Sequence, residues 1–279
     1  MRSLKTEKDE SVGPFLRWAG GKRWLLCRMP EIIGSLSYNN YYEPFVGGGS
    51  IFFGLNPAGK STLSDLNSEL IATYKQVKAN PITISRLLKR FDNSPEEYYK
   101  LRARKYEDPA KKAAQFIFLN HTSFNGLYRV NSSGEYNVPY GFRESPKIPS
   151  EDHLINISKR LGRTSLKVCD FEHACESVSK GDLVFLDPPY TVAHSNNGFV
   201  NYNQRLFAFE DQKRLADLID LLRRKGAYFI LTNAYHSSIA ELFDRGDRKL
   251  ITSRGNAIGG KMAKRGSAIE YLFTNAPLD

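Results

Sequence analysis

The chain has 279 residues, of which 41% are hydrophobic and 25% are charged, and its formal net charge at pH 7 is +10. This length allows one large domain or a core domain with a smaller insertion, and no apolar run reaches the ~18 residues of a transmembrane helix. The cysteines Cys27, Cys169 and Cys175 form no CxxC pair, so the sequence indicates neither a disulfide framework nor a metal site.

The sparse cysteines favour a reducing, cytoplasmic location. Residues 1–10 are charged and polar, unlike a secretory signal, and we interpret them as a frayed tail. The positive charge fits either a basic protein with no special partner or one that binds a polyanion. Nothing in the sequence indicates a membrane or an obligatory protein partner, so we expect a monomer.

Seven short apolar segments, each bounded by turn-forming residues, are predicted to be β-strands. They are residues 41–46, 61–64, 166–169, 183–186, 228–232, 249–252 and 269–274. Helical patterns lie between many of them, most clearly over residues 211–225, where leucine and isoleucine recur at helical spacing. This alternation predicts an α/β fold with a doubly wound, Rossmann-like sheet.

The alternation stops between residues 75 and 163. This stretch is basic and aromatic, has helical patterns at residues 96–104 and 109–120, and ends in a loop, 125–142, rich in glycine, asparagine, serine and proline. We therefore predict a core domain of residues 11–74 and 164–279, with a mostly helical domain of residues 75–163 inserted between the second and third strands.

A glycine turn follows the first predicted strand, at the edge where open α/β sheets bind ligands. Gly47, Gly48 and Gly49 let the backbone approach a ligand where a Cβ would clash. Asp65 ends the second strand, close to where dinucleotide folds place an acceptor for ribose hydroxyls. Without a GxGxxG pattern, a nucleoside lacking phosphates fits better than NAD, which points to S-adenosylmethionine. The alternatives are a tight turn without a ligand and Asp65 as a helix N-cap.

The most specific motif is Asp187-Pro188-Pro189-Tyr190, which follows an apolar strand. The prolines end the strand and leave carbonyl acceptors, while Tyr190 adds a flat stacking surface. An exocyclic amine on a planar base needs these groups, because hydrogen bonds from its N–H groups to Asp187 and the Pro188 carbonyl favour a nucleophilic, sp³-like nitrogen. Positioning and electrostatics would then carry the catalysis. The alternative is a strand terminator with a solvent-facing tyrosine.

The order of these motifs resembles that of Dam-type DNA adenine-N6 methyltransferases of the α group. The resemblance includes Phe15-Leu16-Arg17-Trp18-Ala19-Gly20-Gly21-Lys22, Glu43-Pro44-Phe45-Val46-Gly47-Gly48-Gly49, Asp65 and Asp187-Pro188-Pro189-Tyr190. It extends to the recognition region around residues 118–141. It implies a seven-stranded methyltransferase sheet with an inserted target-recognition domain, and methyl transfer from S-adenosylmethionine to N6 of a flipped adenine in duplex DNA, within GATC or a close variant.

The same resemblance implies roles for individual residues. The cofactor would be bound by Trp18, Lys22, Phe45, Gly47, Asp65, Asp170, Phe171 and Asp187. The catalytic residues would be Asp187, Pro188 and Tyr190, with Asp187 shared between the methionine amine and the target N6. Tyr190 would stack on the flipped base.

DNA would be contacted by Arg17, Phe124, Asn125, Leu127, Arg129, Asn137 and Pro139. Phe124 and Asn125 would enter the gap left by the flipped adenine, and Arg17 would reach a base edge. Leu127 and Pro139 would touch a thymine methyl, and Arg129 would pair with a guanine, for which arginine is well suited. The alternative is that Phe124 packs in a core and Arg129 forms a salt bridge.

Some features depart from the family pattern or leave alternatives open. Phe142 stands where many relatives carry a basic residue, and His121-Thr122-Ser123 differs from the commoner arginine-containing turn. The basic segment 254–265 fits either a phosphate-binding loop or a solvated one. A methyltransferase for RNA adenine, DNA cytosine or protein glutamine is the competing enzyme, although glutamine enzymes usually carry Asn-Pro-Pro-Tyr. A catalytically inactive DNA-binding relative is the non-enzymatic alternative.

Overall fold

The computed structural model of the chain describes residues 12–190, 207–255 and 267–277. The chain divides into two compact units. The helical unit comprises Met1–Arg23, Gly48–Asn56 and Lys75–Gly162, and the sheet unit comprises Trp24–Gly47, Pro57–Tyr74 and Arg163–Asp279. Across the described ranges, every helix is too short or too polar to cross a bilayer.

The described residues of the sheet unit form one seven-stranded sheet in the order β3-β2-β1-β4-β5-β7-β6. The strands are β1 (Tyr41–Glu43), β2 (Ser61–Asp65), β3 (Thr164–Val168), β4 (Leu183–Leu186), β5 (Tyr228–Ala234), β6 (Arg248–Gly255) and β7 (Ser267–Thr274). Strands β1 to β5 pair in parallel, whereas β7 pairs antiparallel with both β5 and β6. The predicted seven-stranded α/β sheet is therefore confirmed.

The strand ends differ from the predicted ones for identifiable reasons. β1 ends at Glu43 because Pro44 has no N–H to donate to the ladder, although Val46 N still donates to Ser64 O over 3.0 Å. β6 and β7 are longer than predicted, because their antiparallel ladder continues past the apolar residues to the pair Gly255↔Ser267. Apart from the end of β6, the basic segment 254–265 lies outside the described residues.

Ten α-helices are described. They are α1 (Met29–Ile33), α2 (Ser50–Leu55), α3 (Ser68–Ala79), α4 (Pro81–Leu88), α5 (Pro95–Ala103), α6 (Pro109–Thr122), α7 (Glu151–Arg160), α8 (Phe171–Ala174), α9 (Phe209–Lys225) and α10 (Ser237–Phe243). Short 3-10 helices cover Arg23–Arg28 and Phe124–Gly126. Helices α3 to α7 lie between β2 and β3 in sequence.

In the sheet unit, apolar side chains of α9 and α10 pack on the strands. The buried face of α9 carries the leucines and the isoleucine whose spacing predicted the helix. The helix ends at Gly226, whose φ of 71° is a left-handed conformation that glycine adopts without a steric penalty. All four residues of β4 are buried, Val184 and Leu186 within this cluster, and this burial fixes the position of the segment that follows the strand.

In the helical unit, α4 packs against α6 and α7, and α5 packs against α6. Side-chain caps set where three of these helices begin: Ser94 for α5, Asp108 for α6 and Ser150 for α7. The C-terminal half of α6 is almost entirely buried, which makes it the central helix of the unit. The loop that follows α6 therefore begins at the end of a firmly packed helix.

Candidate active site

The predicted site residues of the sheet unit lie after successive parallel strands. Gly47 follows β1, Asp65 ends β2, Asp170 follows β3 and Asp187 follows β4. Because these strands run in the same direction, the four residues share the carboxyl edge of the sheet, where open α/β sheets bind ligands. Residues separated by up to 140 positions in sequence are thus brought to one edge.

The carboxylate of Asp65 holds the glycine turn. Gly47 N donates to its Oδ2 over 3.1 Å, and Asn67 N donates to its Oδ1 over 3.0 Å. The Tyr74 hydroxyl donates to the Gly47 carbonyl over 3.0 Å. Burial raises the pKa of Asp65, and these backbone N–H groups oppose the shift. The N-cap of α3 is Asn67, which accepts from Leu70 N, so the interpretation of Asp65 as that N-cap is wrong.

Aromatic side chains gather beside this edge. Phe45 stacks on Phe171 with 5.5 Å between ring centroids and meets Phe207 edge to face at 5.6 Å. Asp170 caps α8 and accepts a hydrogen bond of 2.9 Å from Arg214, whose guanidinium also lies 4.9 Å from the Phe171 ring centroid. The arginine thus holds the predicted pair Asp170 and Phe171 in one arrangement.

Asp187 is oriented by a residue of the neighbouring strand. The Thr232 hydroxyl, buried in β5, donates to Asp187 Oδ1 over 2.7 Å. Leu186 pairs with Leu231, so the residues that follow them, Asp187 and Thr232, lie side by side. One carboxylate oxygen is therefore engaged by a fixed donor, which limits rotation of the Asp187 side chain.

Tyr190 ends the motif with a hydroxyl that stays protonated at neutral pH. Burial raises the pKa of Tyr190 well above its ordinary value, and the carboxylates of Asp187 and Glu270 raise it further. The hydroxyl can therefore act as a hydrogen-bond donor, while the ring offers a flat surface.

Trp18 and Lys22, the other predicted cofactor residues, belong to the helical unit. The Trp18 ring stacks on Tyr128 at 5.5 Å and 20°. A Cβ on Gly48 would lie 3.1 Å from Trp18 Cβ, so glycine fits this close approach best. The Lys22 side chain is buried and donates to the Gly20 carbonyl over 3.1 Å.

The structure brings Arg17 to the loop after α6. Asn120 binds the Arg17 backbone twice, accepting from its N–H and donating to its carbonyl, each over 2.8 Å. The Arg17 guanidinium donates to the Asn125 carbonyl over 3.2 Å. Gly126 has a φ of 66°, and a Cβ there would lie 2.7 Å from Arg17 Nε. Two predicted DNA-contacting residues, far apart in sequence, are therefore neighbours.

The loop itself, which we call the reading loop (residues 123–141), is closed by backbone hydrogen bonds. Phe124 N donates to the Pro139 carbonyl over 2.9 Å. The Phe124 side chain is 47% exposed, so the alternative that it packs in a core is wrong. Arg129 is exposed and donates from Nε to Asn137 Oδ1 over 2.8 Å, which sets the direction of its guanidinium. Leu127 is half-buried and Pro139 is exposed.

The two departures from the family pattern have different surroundings. Phe142 is 75% exposed, whereas His121 is buried and hydrogen-bonded through Nε2 to the Phe15 carbonyl at 2.9 Å. Burial lowers the pKa of His121 to about 4, and the positive charges of Arg17 and Arg143 contribute. Burial and Arg143 also lower the pKa of Arg17, whose Nη1 is buried without a hydrogen-bond partner among the described residues. Arg17 and Arg143 thus place two positive charges close to His121.

Comparison with known proteins decides between the competing enzyme classes. The sequence profile of the D12 class N6 adenine-specific DNA methyltransferases matches residues 18–254. The chain belongs to this family. It is therefore an adenine-specific DNA methyltransferase, and the family implies S-adenosylmethionine as the methyl donor. The predicted family and enzyme class are confirmed.

Relatives of this methyltransferase cover most of its length. The type II methyltransferase M1.LlaDCHI of Lactococcus lactis subsp. cremoris is 38% identical over 98% of this chain and 99% of its own. M.MjaIII of Methanocaldococcus jannaschii, also a type II methyltransferase, is 38% identical over 81% and 85%. The DNA adenine methylase of Haemophilus influenzae is 31% identical over 78% of each chain.

Sequence reasoning missed three residues that lie against the predicted site residues of this methyltransferase. Thr232 and Arg214 hold Asp187 and Asp170, and Glu270 lies beside Tyr190. Each lies on an element distant in sequence from the group that it contacts. The only available signal was the polar pair Thr232-Asn233 at the end of the apolar β5 run. Within the described ranges, no three His, Cys, Asp or Glu side chains form a cluster suited to a metal.

Proposed function

We propose that this methyltransferase modifies the adenine of GATC, or of a close variant, after flipping that base from the duplex into a pocket formed by Asp187, Pro188 and Tyr190. The observation that carries the proposal is the Asp187 carboxylate, which Thr232 holds over 2.7 Å at the carboxyl end of β4. A fixed acceptor at this edge suits an exocyclic amine. Base flipping is required because the target N6 cannot be reached in a stacked duplex.

The residues of this pocket supply positioning and electrostatics. S-adenosylmethionine, when bound, supplies a methyl group on a sulfonium, which needs no activation by a metal. Asp187 and the Pro188 carbonyl accept the two N6–H bonds and so favour an sp³-like nitrogen. Tyr190 stacks on the adenine ring. Groups fixed before the reaction stabilise the transition state without reorganising.

The sheet unit has groups suited to the nucleoside part of S-adenosylmethionine. Asp65 offers a carboxylate beside the left-handed Gly47, and Phe45 with Phe171 offers aromatic surface for an adenine ring. These residues fit S-adenosylmethionine, since the turn presents backbone and carboxylate rather than a phosphate cradle. We propose that they, together with Asp170, hold the nucleoside end of the donor.

We propose that the helical unit recognises DNA. Arg129, held by Asn137, would donate two hydrogen bonds to a guanine, and Leu127 with Pro139 would contact a thymine methyl. Phe124, with its exposed ring, would fill the gap left by the adenine. The Arg17 backbone is bound to Asn120 of α6, which supports its role in base reading. GATC itself rests on the resemblance of these positions to Dam-type enzymes.

The target-recognition domain proposed from sequence, residues 75–163, therefore gains two segments. Met1–Arg23 and Gly48–Asn56 belong to the same compact unit as Lys75–Gly162. Arg143 lies near Arg17 and His121, and we propose that it provides the phosphate contact for which Phe142 is unsuited.

The test is expression in cells that lack adenine methylation, followed by modification-sensitive sequencing of their DNA. We expect N6-methyladenine in GATC, and none with the Asp187→Ala variant. That variant should keep much of its affinity for duplex DNA, which rests mainly on basic groups. A modified motif that lacks GAT would contradict the proposed reading loop, and near-normal turnover by Asp187→Ala would contradict the catalytic assignment.

A further inference from the structure

The last strand of the sheet carries a buried carboxylate that the reaction described above does not use. Glu270 lies in β7, is 2% exposed, and pairs with Ala234 of β5 and Thr252 of β6. A buried acidic side chain is costly unless polar groups compensate it. The polar groups around Glu270 therefore indicate the role of its side chain.

The strand register places Glu270 on the same face of the sheet as Thr232. In the antiparallel pair β5–β7, Ala234 is opposite Glu270 and Thr232 is opposite Leu272. Opposite residues point to the same face, as do residues two apart on one strand, so Thr232 and Glu270 are diagonal neighbours within reach of long side chains. Thr232 is the residue that donates to Asp187.

Tyr190 lies against this pair. Its hydroxyl is a buried atom, and both Thr232 and Glu270 interact with it. The negative charge of Glu270 helps to raise the pKa of Tyr190, so the phenol keeps its proton. Asp187, Thr232, Tyr190 and Glu270 are thus polar neighbours, drawn from the segment after β4, from β5 and from β7.

We propose that Glu270 is a positioning residue that accepts a hydrogen bond from the Tyr190 hydroxyl and so fixes the plane of the ring on which the target base stacks. The inference rests on the proposed function, in which Tyr190 stacks on the flipped adenine. Tyr190 directly follows two prolines and, like residues 187–189, lies outside any helix or strand, so regular secondary structure does not restrain its position. A hydrogen bond to a charged acceptor is strong enough to do so.

The experiment measures methyl transfer by purified variants on an unmethylated duplex oligonucleotide that carries the recognition site. Glu270→Met removes the acceptor and keeps similar volume, whereas Glu270→Gln keeps an acceptor oxygen. We expect Glu270→Met to lower kcat on the order of tenfold, as loss of such a hydrogen bond implies, with little change in KM for DNA. Glu270→Gln should restore most of the rate.

Two further variants separate positioning from a loss of stability. Asp182→Asn changes another fully buried carboxylate, which accepts from Asn40 N and Ser179 N at the opposite end of β4. It should lower the melting temperature and leave kcat unchanged. Tyr190→Phe keeps the ring and removes the donor, so adding Glu270→Met to it should cost nothing more.

The outcomes distinguish this inference from the proposed function. Wild-type kcat in Glu270→Met, equal losses in the Met and Gln variants, or multiplying effects of Glu270→Met and Tyr190→Phe would overturn it. If Glu270→Met does not fold, Tyr190→Phe decides by itself: it should lower kcat by a similar factor, and a wild-type kcat in Tyr190→Phe would overturn the inference. Failure of the proposed function instead would appear as full activity of Asp187→Ala.

Discussion

Replacing Thr232 by valine tests whether the carboxylate of Asp187, the proposed catalytic group, must be held in place. Thr232 is buried in β5 and donates to Asp187 Oδ1 over 2.7 Å. Valine has nearly the same shape and lacks the hydroxyl, so the substitution removes one hydrogen bond and little volume. Asp187 would then be free to rotate between its own backbone and the target amine.

The size of the effect follows from the chemistry of this bond. A hydrogen bond to a charged acceptor contributes about 1.5–3 kcal/mol. Because about 1.4 kcal/mol corresponds to a factor of ten, complete expression of the loss in the transition state would lower kcat/KM roughly 10- to 150-fold. Binding of duplex DNA should change little, since the basic helical unit provides it in the proposed function.

Single-turnover transfer of a labelled methyl group to a GATC duplex measures this rate directly. Thr232→Ser is the matched control, because it keeps the hydroxyl and loses only a methyl group. It should lose some stability and retain most of the rate. A Thr232→Val enzyme that remains folded and transfers methyl groups within twofold of wild type would refute the reasoning, as would a serine variant as slow as the valine variant.

Four further predictions concern the helical unit. Phe124→Ala should weaken the brightening of a fluorescent base analogue at the target position, because the exposed ring would no longer fill the gap. Arg129→Ala should reduce the sequence preference at the last base pair of GATC by about 1–3 kcal/mol, measured as relative kcat/KM on substituted duplexes. Arg143→Ala should weaken DNA binding whatever the sequence and reduce the salt-dependence slope by about one. Burial lowers the pKa of His121 to about 4, from 6.5 in the unfolded chain, so the unfolded state binds more protons between these values. The free energy of unfolding should therefore fall as pH decreases from about 6.5 to 4, and less so in His121→Gln, as measured by denaturant titration.

Each of these predictions has an outcome that contradicts it. An unchanged fluorescence signal would assign Phe124 a packing role only. Equal losses on all sequences would make Arg129 a phosphate contact, and an unchanged salt slope would remove Arg143 from the interface. If wild type and His121→Gln lose stability in parallel as pH falls, His121 is not the group that titrates.

All seven strands could be predicted because each is a short apolar run between turn formers. β4, with four buried residues, was predicted with its bounds unchanged. The ends of β6 and β7 could not be, because their ladder continues through polar residues that pair by backbone alone. Tertiary pairing, which periodicity does not encode, decides such boundaries.

The placement of Gly47, Asp65 and Asp187 at one edge of the sheet could be predicted because each of them ends or follows a strand. The residues that hold these groups could not be. Thr232 donates to Asp187 from the neighbouring strand, and Glu270 lies on the same sheet face as Thr232 only because β7 is inserted beside β5. Such contacts depend on which strands are adjacent in the sheet. Because adjacent strands here are often not consecutive in sequence, no local sequence pattern predicts these contacts.

Asp65 shows how a scaffold role and a ligand role can occupy one side chain. A carboxylate has about four lone-pair sites, and Gly47 N and Asn67 N use one on each oxygen. Leu66 N–H is a third backbone donor to the same carboxylate. About one acceptor site remains, so holding the turn still leaves room for one hydrogen bond from a ligand hydroxyl. An asparagine at this position would present an amide N–H toward one of these backbone N–H groups, and the turn would lose a bond before any ligand arrived. The glycine turn itself therefore favours an acidic residue, and the proposed binding of a ribose would add to a requirement that the fold already imposes.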